Sequence, residues 1–190
     1  PLQDIVSQNL YLSIIVRQPN GTFHLKEKRL LLASNMVVSQ LTASLHADGT
    51  RWWVWAVGYN SNTFHKFLVG GIETVQGPFS QQIGPPFFHT QVGLGQAAFS
   101  HQGNTLGINN KAHGAMLYDF DNQTGELSNY RNFQYPNPKN GTAEGLAFSP
   151  NGRFLYVTAG RDLFQLDLQD PDPVASTVHI ANVSLPDETG

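Results

Sequence analysis

The chain has 190 residues, 40% hydrophobic and 11% aromatic, which suits one packed domain and excludes a disordered segment. Only 13% of the residues are charged, about half the usual share of ~25%, whereas 15 Asn and 14 Gln supply much of the polar surface. The net charge of −3 without a basic run argues against nucleic acid as a partner, and the absence of Cys excludes disulfides, thiolate metal sites and cysteine nucleophiles.

The first predicted elements are two strands joined by a tight turn. Residues 10–16 are apolar and rich in β-branched side chains, and residues 25–32 alternate less cleanly. Between them, Asn20-Gly21 is a dipeptide that favours a hairpin turn. We interpret residues 10–35 as the last two strands of a four-stranded unit whose first two strands are missing.

Three units of four short strands each follow, over residues 40–84, 93–137 and 142–183. The first has predicted strands at residues 41–45, 51–57, 64–69 and 72–75. The second has them at residues 95–99, 105–109, 116–120 and 127–133, and the third at residues 144–148, 154–158, 163–168 and 176–181. No stretch of ten or more residues has a helical period, so the chain is predicted to be all-β.

The turn between the first two strands of each unit repeats at a regular spacing. Its glycines, Gly49, Gly103 and Gly152, lie 54 and 49 residues apart. In the third unit Pro150 presets φ and Gly152 accepts a positive φ, as a tight turn requires. Four short strands recurring every ~50 residues predict the blades of a β-propeller. A β-sandwich also uses short strands, but the repeated turn and strand favour the propeller.

The predicted fold is therefore a partial β-propeller of about three and a half four-stranded blades from a ring of six to eight. This arrangement requires Ala43, Ala97 and Ala147 to lie on strands that sit side by side around a central axis. An open ring would leave strand edges and blade faces bare. We therefore expect the ring to be completed by sequence missing from this chain or by another chain.

Three segments carry a family resemblance. They are residues 41–68 with the Trp pair at 52–53, residues 116–125, and residues 145–168. In order and spacing they resemble the propeller region of large Bacteroidetes surface proteins described as gliding-motility-related or type IX-secreted. The turn at residues 100–103 departs from the Ser-Pro-Asp-Gly-like turn usual there. The resemblance implies an extracellular, cell-surface location and a C-terminal sorting domain outside this chain, and it supplies no catalytic residues.

Two groups of side chains are candidate metal ligands. Asp119 and Asp121 resemble part of a calcium loop, although the sixth and twelfth positions counted from Asp119 hold Thr and Tyr instead of Gly and Glu. We favour Asx capping of a strand turn for these residues. His46 and His101 each lie in the first turn of a blade and could share one rim, where aligned imidazoles could bind a metal. Solvated turn residues are the favoured interpretation, and no cofactor is predicted.

Three tryptophans lie on one predicted strand. Trp53 and Trp55 share a face, and Trp52 points to the other face. Because both faces of a propeller blade pack against neighbouring blades, we predict that all three rings belong to the core. A role in stacking on carbohydrate would need an exposed ring.

Glu144 and Arg161 are the candidate catalytic pair. Glu144 precedes an innermost strand and could face the central channel, and Arg161 lies in a following loop. At a channel mouth they would serve as general acid/base and oxyanion-stabilising group of a lactonase-like hydrolase, which residues 148–157 also resemble. One carboxylate without a visible partner is a weak signal.

The favoured function is therefore a non-catalytic binding or scaffold module of a secreted cell-surface protein. Such a module would act in adhesion, motility or surface-complex assembly, with protein or surface glycan as its partner. Propellers host both classes of function, so the fold alone does not choose between them. No apolar run approaches the ~20 residues that a membrane helix needs.

Overall fold

The computed structural model describes residues 6–71, 74–87, 95–110, 113–135 and 143–182, with only the backbone described for residues 143 and 144. These residues form fourteen strands and no helix. The strands are β1 Val6–Arg17, β2 Phe23–Val37, β3 Thr42–Leu45, β4 Arg51–Val57, β5 Ser61–Gly70, β6 Thr74–Phe87, β7 Gly95–Phe99, β8 Thr105–Asn110, β9 Gly114–Asp121, β10 Glu126–Phe133, β11 Ala143–Phe148, β12 Phe154–Ala159, β13 Asp162–Asp167 and β14 Val178–Asn182. The described residues contain no helix that is long and apolar enough to span a membrane.

The strands form one hairpin and three four-stranded antiparallel sheets. β1 pairs with β2, and each sheet takes four consecutive strands in chain order: β3 to β6, β7 to β10, and β11 to β14. The first strand of the second sheet, β7, contacts both β3 and β11. The strands that carry Ala43, Ala97 and Ala147 therefore lie side by side, as predicted. The chain has a partial β-propeller fold of three complete blades preceded by a two-stranded hairpin.

The largest difference from the predicted strands is in the outermost strand of the first blade. It is predicted at residues 72–75, of which 72 and 73 lie outside the described residues, but β6 runs over Thr74–Phe87. Pro78, Pro85 and Pro86 lie within it. An outermost strand has one edge without a ladder partner, so it accepts prolines that would break a central strand. The hairpin strands β1 and β2 also extend beyond the predicted residues 10–16 and 25–32.

The first turn has the same hydrogen bonds in all three blades. The amide of its first residue donates to the carbonyl of the residue that opens the next strand, at 2.8 Å each time. The turn glycines have φ of 73°, 67° and 71°, which confirms the positive φ predicted for Gly152 and shows it at Gly49 and Gly103 too. This common turn aligns the blades residue by residue. In the first, second and third blades respectively, His46, Ser100 and Ser149 occupy the same position of the turn. Trp52, Leu106 and Leu155 likewise occupy the same position of the second strand.

The core lies between the blades in two clusters. The first joins Trp55 and Phe64 of the first blade to Leu106, Ile108 and Phe120 of the second. The ring of Trp55 meets Phe64 and Phe120 edge to face, with centroid distances of 6.1 and 5.9 Å. The second cluster packs the far face of the second blade on Leu146, Leu155, Val157, Phe164 and Leu166 of the third.

A buried amide links the second and third blades. The Asn109 side chain donates to the carbonyls of Gly145 at 2.9 Å and Thr158 at 3.2 Å. Its oxygen accepts from the Tyr135 hydroxyl at 2.6 Å. Burial raises the pKa of Tyr135 to about 12, so this hydroxyl is a neutral donor near pH 7. Asn109 thereby fixes the position of the third blade relative to the second.

Candidate functional site

A cleft of about 670 Å³ opens along the inner strands β3 and β7 and the first turns of the first two blades. We call it the inner cleft. Its polar side chains are uncharged amides and hydroxyls together with two imidazoles: Thr42, Ser44, His46, Gln96, Ser100, His101, Gln102 and Asn122. No Asp, Glu, Lys or Arg is among the described residues that line it. The lining can therefore donate and accept hydrogen bonds but offers no fixed charge.

His46 and His101 both line the inner cleft, so they do share one rim. The expectation that both are solvated is wrong for His46, whose side chain is buried. Its Nδ1 accepts from the Asp48 amide at 3.0 Å, and its ring packs on Trp53 at 5.9 Å. His101 is exposed at the next turn residue of the second blade. His46 thus stabilises its turn, whereas His101 is free to meet a ligand.

The described residues contain no group of three His, Cys, Asp or Glu side chains that could hold a metal ion.

Two glutamine side chains of the inner cleft each use one of their two amide groups in a hydrogen bond to the third blade. The Gln96 oxygen accepts from the Leu146 amide at 3.0 Å, and the Gln102 nitrogen donates to the Pro150 carbonyl at 2.8 Å. These bonds hold both side chains in place while the Gln96 NH₂ and the Gln102 oxygen remain for other partners.

Asp119 and Asp121 act as structural groups. The Asp121 carboxylate accepts from the amides of Gln123 at 2.8 Å and Thr124 at 3.3 Å, and these bonds lower its pKa. Asp119 lies two residues earlier, paired with Arg131 at 2.5 Å. The Asx-turn interpretation is confirmed for Asp121.

The candidate pair Glu144 and Arg161 lies at one end of the third blade. Glu144 is the second residue of β11, and its side chain lies outside the described residues. Arg161 is exposed in the turn between β12 and β13. Because Ala143 pairs with Ala159, both residues lie at the end of the blade away from its first turn. The register thus brings the two positions to one end of the sheet without defining a catalytic geometry.

The tryptophan prediction is confirmed for two of the three rings. Trp53 and Trp55 are buried between the first two blades, but Trp52 is 49% exposed and reaches the edge of the inner cleft. Trp52 faces away from the second blade, on the side of β4 where the hairpin covers little of the sheet. The equivalent residues of the other two blades, Leu106 and Leu155, are fully buried. Trp52 is therefore exposed because little packs on this face of its blade, and not because the position suits a polar side chain.

Lys66 is a buried charge that the sequence analysis missed. It is 4% exposed, and its ammonium donates to the Gly125 carbonyl and the Glu126 carboxylate of the second blade. The same ammonium lies 5.5 Å from the rings of Trp53 and Trp55. The alternation of β5 could have revealed it, because Lys66 shares a face with the apolar Phe64 and Leu68. It stabilises the contact between blades and does not reach the inner cleft.

Comparison with known proteins shows similarity in fold alone. No family model matches the sequence, and no curated protein matches it. A functionally unknown protein from Desulfotomaculum acetoxidans matches with a TM-score of 0.54 and 12% identity over 89% of this chain and 54% of its own. A putative 6-phosphogluconolactonase from Bacteroides uniformis matches with a TM-score of 0.51 and 11% identity over 93% of this chain and 55% of its own.

A periplasmic gluconolactonase from Pseudomonas aeruginosa has a higher identity but a poorer overlay. It is 19% identical, with a TM-score of 0.44, over 75% of this chain and 38% of its own. The chain thus spans about half, or less, of the length of the structures it matches. At these identities the comparisons describe an architecture, and the activity of a neighbour does not transfer with it.

Proposed function

We propose that the chain is part of a non-catalytic binding module whose inner cleft takes an uncharged polar ligand. The observation that carries this proposal is the lining of the inner cleft, whose described residues supply amides, hydroxyls and one exposed imidazole but no carboxylate and no cation. Hydrolysis needs a general acid or base and a group that stabilises the oxyanion. Of the two imidazoles that line the inner cleft, His46 is engaged in its own turn.

A surface glycan is the ligand class that this lining fits best. Glycan hydroxyls donate and accept at once, and so do amide side chains, so the two match without any charge to desolvate. Gln96 and Gln102 are held by bonds to the third blade, which reduces the conformational entropy that a ligand would have to freeze. Trp52 is not assigned to this ligand, because its face belongs to contacts between blades.

We expect His101→Ala to weaken glycan binding about tenfold, the loss of roughly one hydrogen bond of ~1.4 kcal/mol. The probe is an array of neutral oligosaccharides, followed by titration calorimetry with the strongest binder. His24→Ala, which removes an exposed histidine from the distant strand β2, is the matched control and should bind as the unmodified chain does. Equal loss in both variants, or no binder in the array, would contradict the proposal.

The lactonase-like alternative is tested through Glu144 and Arg161. Their placement at one end of the third blade is the observation that keeps this alternative open. We expect no hydrolysis of a panel of γ- and δ-lactones above the uncatalysed rate, measured by pH-stat. A measurable rate that Glu144→Gln abolishes would establish the hydrolase and displace the binding module.

We further propose that the module is extracellular, on a secreted cell-surface protein, where it serves adhesion, motility or surface-complex assembly. The amide-rich, charge-poor composition and the resemblance to Bacteroidetes surface proteins support this location. In the source organism, an antibody against the chain should label intact cells, and external protease should remove the signal. Deletion should impair attachment or gliding. Labelling only after lysis would refute the location.

A further inference from the structure

A second groove, of about 440 Å³, lies between the second and third blades. We call it the outer groove, because its walls include the two outer strands of the second blade, β9 and β10, and the connection from β13 to β14, residues 168–177. Both walls belong to complete four-stranded sheets. The described residues that line the outer groove and those that line the inner cleft have no member in common. The two are therefore separate surfaces.

At the interface between the first two blades, a tryptophan fills the corresponding space. The Trp53 indole donates to the Asn122 carbonyl at 3.0 Å, and a Cβ added to Gly125 would approach its ring to 2.7 Å. Both of these partners belong to the short connection from β9 to β10, residues 122–125. The second blade has Gly107 in the place of Trp53, with no side chain to lie beneath the longer connection of the third blade. The outer groove thus results from a glycine in one blade and a longer connection in the next.

Hydrogen bonds and prolines hold the connection from β13 to β14 in one shape. Asp170 Oδ1 accepts from the Asp172 amide at 2.8 Å, and Asp172 Oδ1 accepts from the Ala175 amide at 3.1 Å. Pro171 and Pro173 alternate with these carboxylates, and each proline ring fixes its own φ. A preformed wall reduces the conformational entropy that is lost when a ligand binds. The connection is therefore suited to recognition.

The outer groove combines an apolar floor with an unbalanced negative charge. Asp119 and Arg131 line it as an ion pair at 2.5 Å, so their charges cancel. Asp170 is exposed at the rim, and no Lys, Arg or His among the described residues forms an ion pair with it. A ligand of the outer groove therefore needs an apolar part and a positive charge. The apolar side chains that line the groove are Leu117, Phe133, Leu168, Pro171 and Pro173.

We propose that the outer groove binds an extended peptide segment of another protein, in which an apolar side chain is followed by lysine or arginine. The apolar side chain lies on Phe133 and Leu168, and the basic side chain reaches the Asp170 carboxylate at the rim. Thr105 and Gln169 also line the groove, and their side chains donate and accept hydrogen bonds, as a peptide backbone requires. Nucleic acid and anionic lipid carry the sign of charge that Asp170 repels. The partner is therefore a protein.

An array of synthetic hexapeptides tests this proposal on the full chain. Each peptide carries Leu or Phe followed by Lys, Arg, Gln or Glu, so that matched peptides differ only in this one side chain. We expect the Lys and Arg peptides to bind, and the Gln and Glu peptides to bind about fivefold more weakly, as the loss of one partly exposed charge pair implies. Fluorescence anisotropy with the strongest binder then measures its dissociation constant.

Asp170→Asn removes the charge and keeps the side-chain oxygen that accepts from the Asp172 amide, so the connection retains its shape. This variant should bind the Lys peptide about fivefold more weakly and no longer distinguish it from the Gln peptide. Glu27→Gln makes the same change from carboxylate to amide on the distant strand β2, and as the matched control it should bind as the unmodified chain does. Equal binding of the Lys and Gln peptides to the unmodified chain, or no binder in the array, would overturn the proposal.

Thr105→Arg tests where the peptide binds. Arg51 is the equivalent residue of the first blade, so the backbone at this position accepts an arginine. Its longer side chain should fill the outer groove and weaken binding of the Lys peptide about tenfold, with circular dichroism confirming the fold. His101→Ala should leave peptide binding unchanged, because His101 lines the inner cleft. Undiminished binding in a folded Thr105→Arg variant, or loss of binding in His101→Ala, would place the peptide elsewhere and overturn the proposal.

Discussion

Replacing Trp55 by Ala is expected to lower the free energy of unfolding by about 4 kcal/mol, in the range for a large aromatic side chain removed from a core. Trp55 is 1% exposed and lies between the first and second blades, in edge-to-face contact with Phe64 and Phe120. The rings of Phe64 and Phe120 cannot fill the cavity left by this substitution unless their own strands move. Urea unfolding followed by circular dichroism measures the loss.

Trp52→Ala is the matched control, since it makes the same chemical change on the same strand. In the chain alone it should cost less than about 1 kcal/mol, because half of the ring already contacts water. Equal losses in the two variants would mean that Trp52 is covered in solution.

Asn109→Ala is expected to destabilise the chain by about 3 kcal/mol, although its side chain is small. The substitution leaves the buried Tyr135 hydroxyl and the part-buried carbonyls of Gly145 and Thr158 without this partner. Each unsatisfied buried group costs about 1–3 kcal/mol, partly recovered where water can enter. Thermal unfolding should show the loss, and exchange should quicken first in β11 and β12.

Tyr135→Phe provides the test of this explanation. Removing the hydroxyl alone should cost about 1 kcal/mol, and the double variant should lose clearly less than the sum of the two single variants. Strict additivity would show that Asn109 acts through packing and not through its bond to Tyr135. The double-variant cycle therefore separates a polar link between blades from an ordinary cavity.

Much of the fold was predictable because the repeated unit depends on the backbone preferences of residues that are close in sequence. The turn glycines at positions 49, 103 and 152 all adopt the positive φ that tight turns need, and the strands after them are apolar. The outermost strands were predicted least well, as β6 shows, because a strand with one free edge tolerates prolines and polar residues. Sequence patterns identify such strands poorly, since little of their surface is buried.

The candidate site was less predictable. The sequence placed His46 and His101 on one rim, which is confirmed, but it could not show that His46 is buried by its own turn and by Trp53. It also missed Lys66, although the alternation of β5 marks that side chain as inward. The described lining of the inner cleft lacks charge because of which turns of neighbouring blades lie together. A local sequence pattern does not predict which turns these are.

What the sequence alone determined is the repeating unit, since the turns and the period-2 alternation are set by the backbone preferences of neighbouring residues. The tertiary structure decided which faces find a neighbour. Leu106 and Leu155 are buried and Trp52 is half exposed at equivalent positions, because burial depends on the adjacent blade and not on the residue itself. For the same reason, the inner cleft forms only where two neighbouring blades bring their first turns together, and these turns lie more than fifty residues apart in the chain.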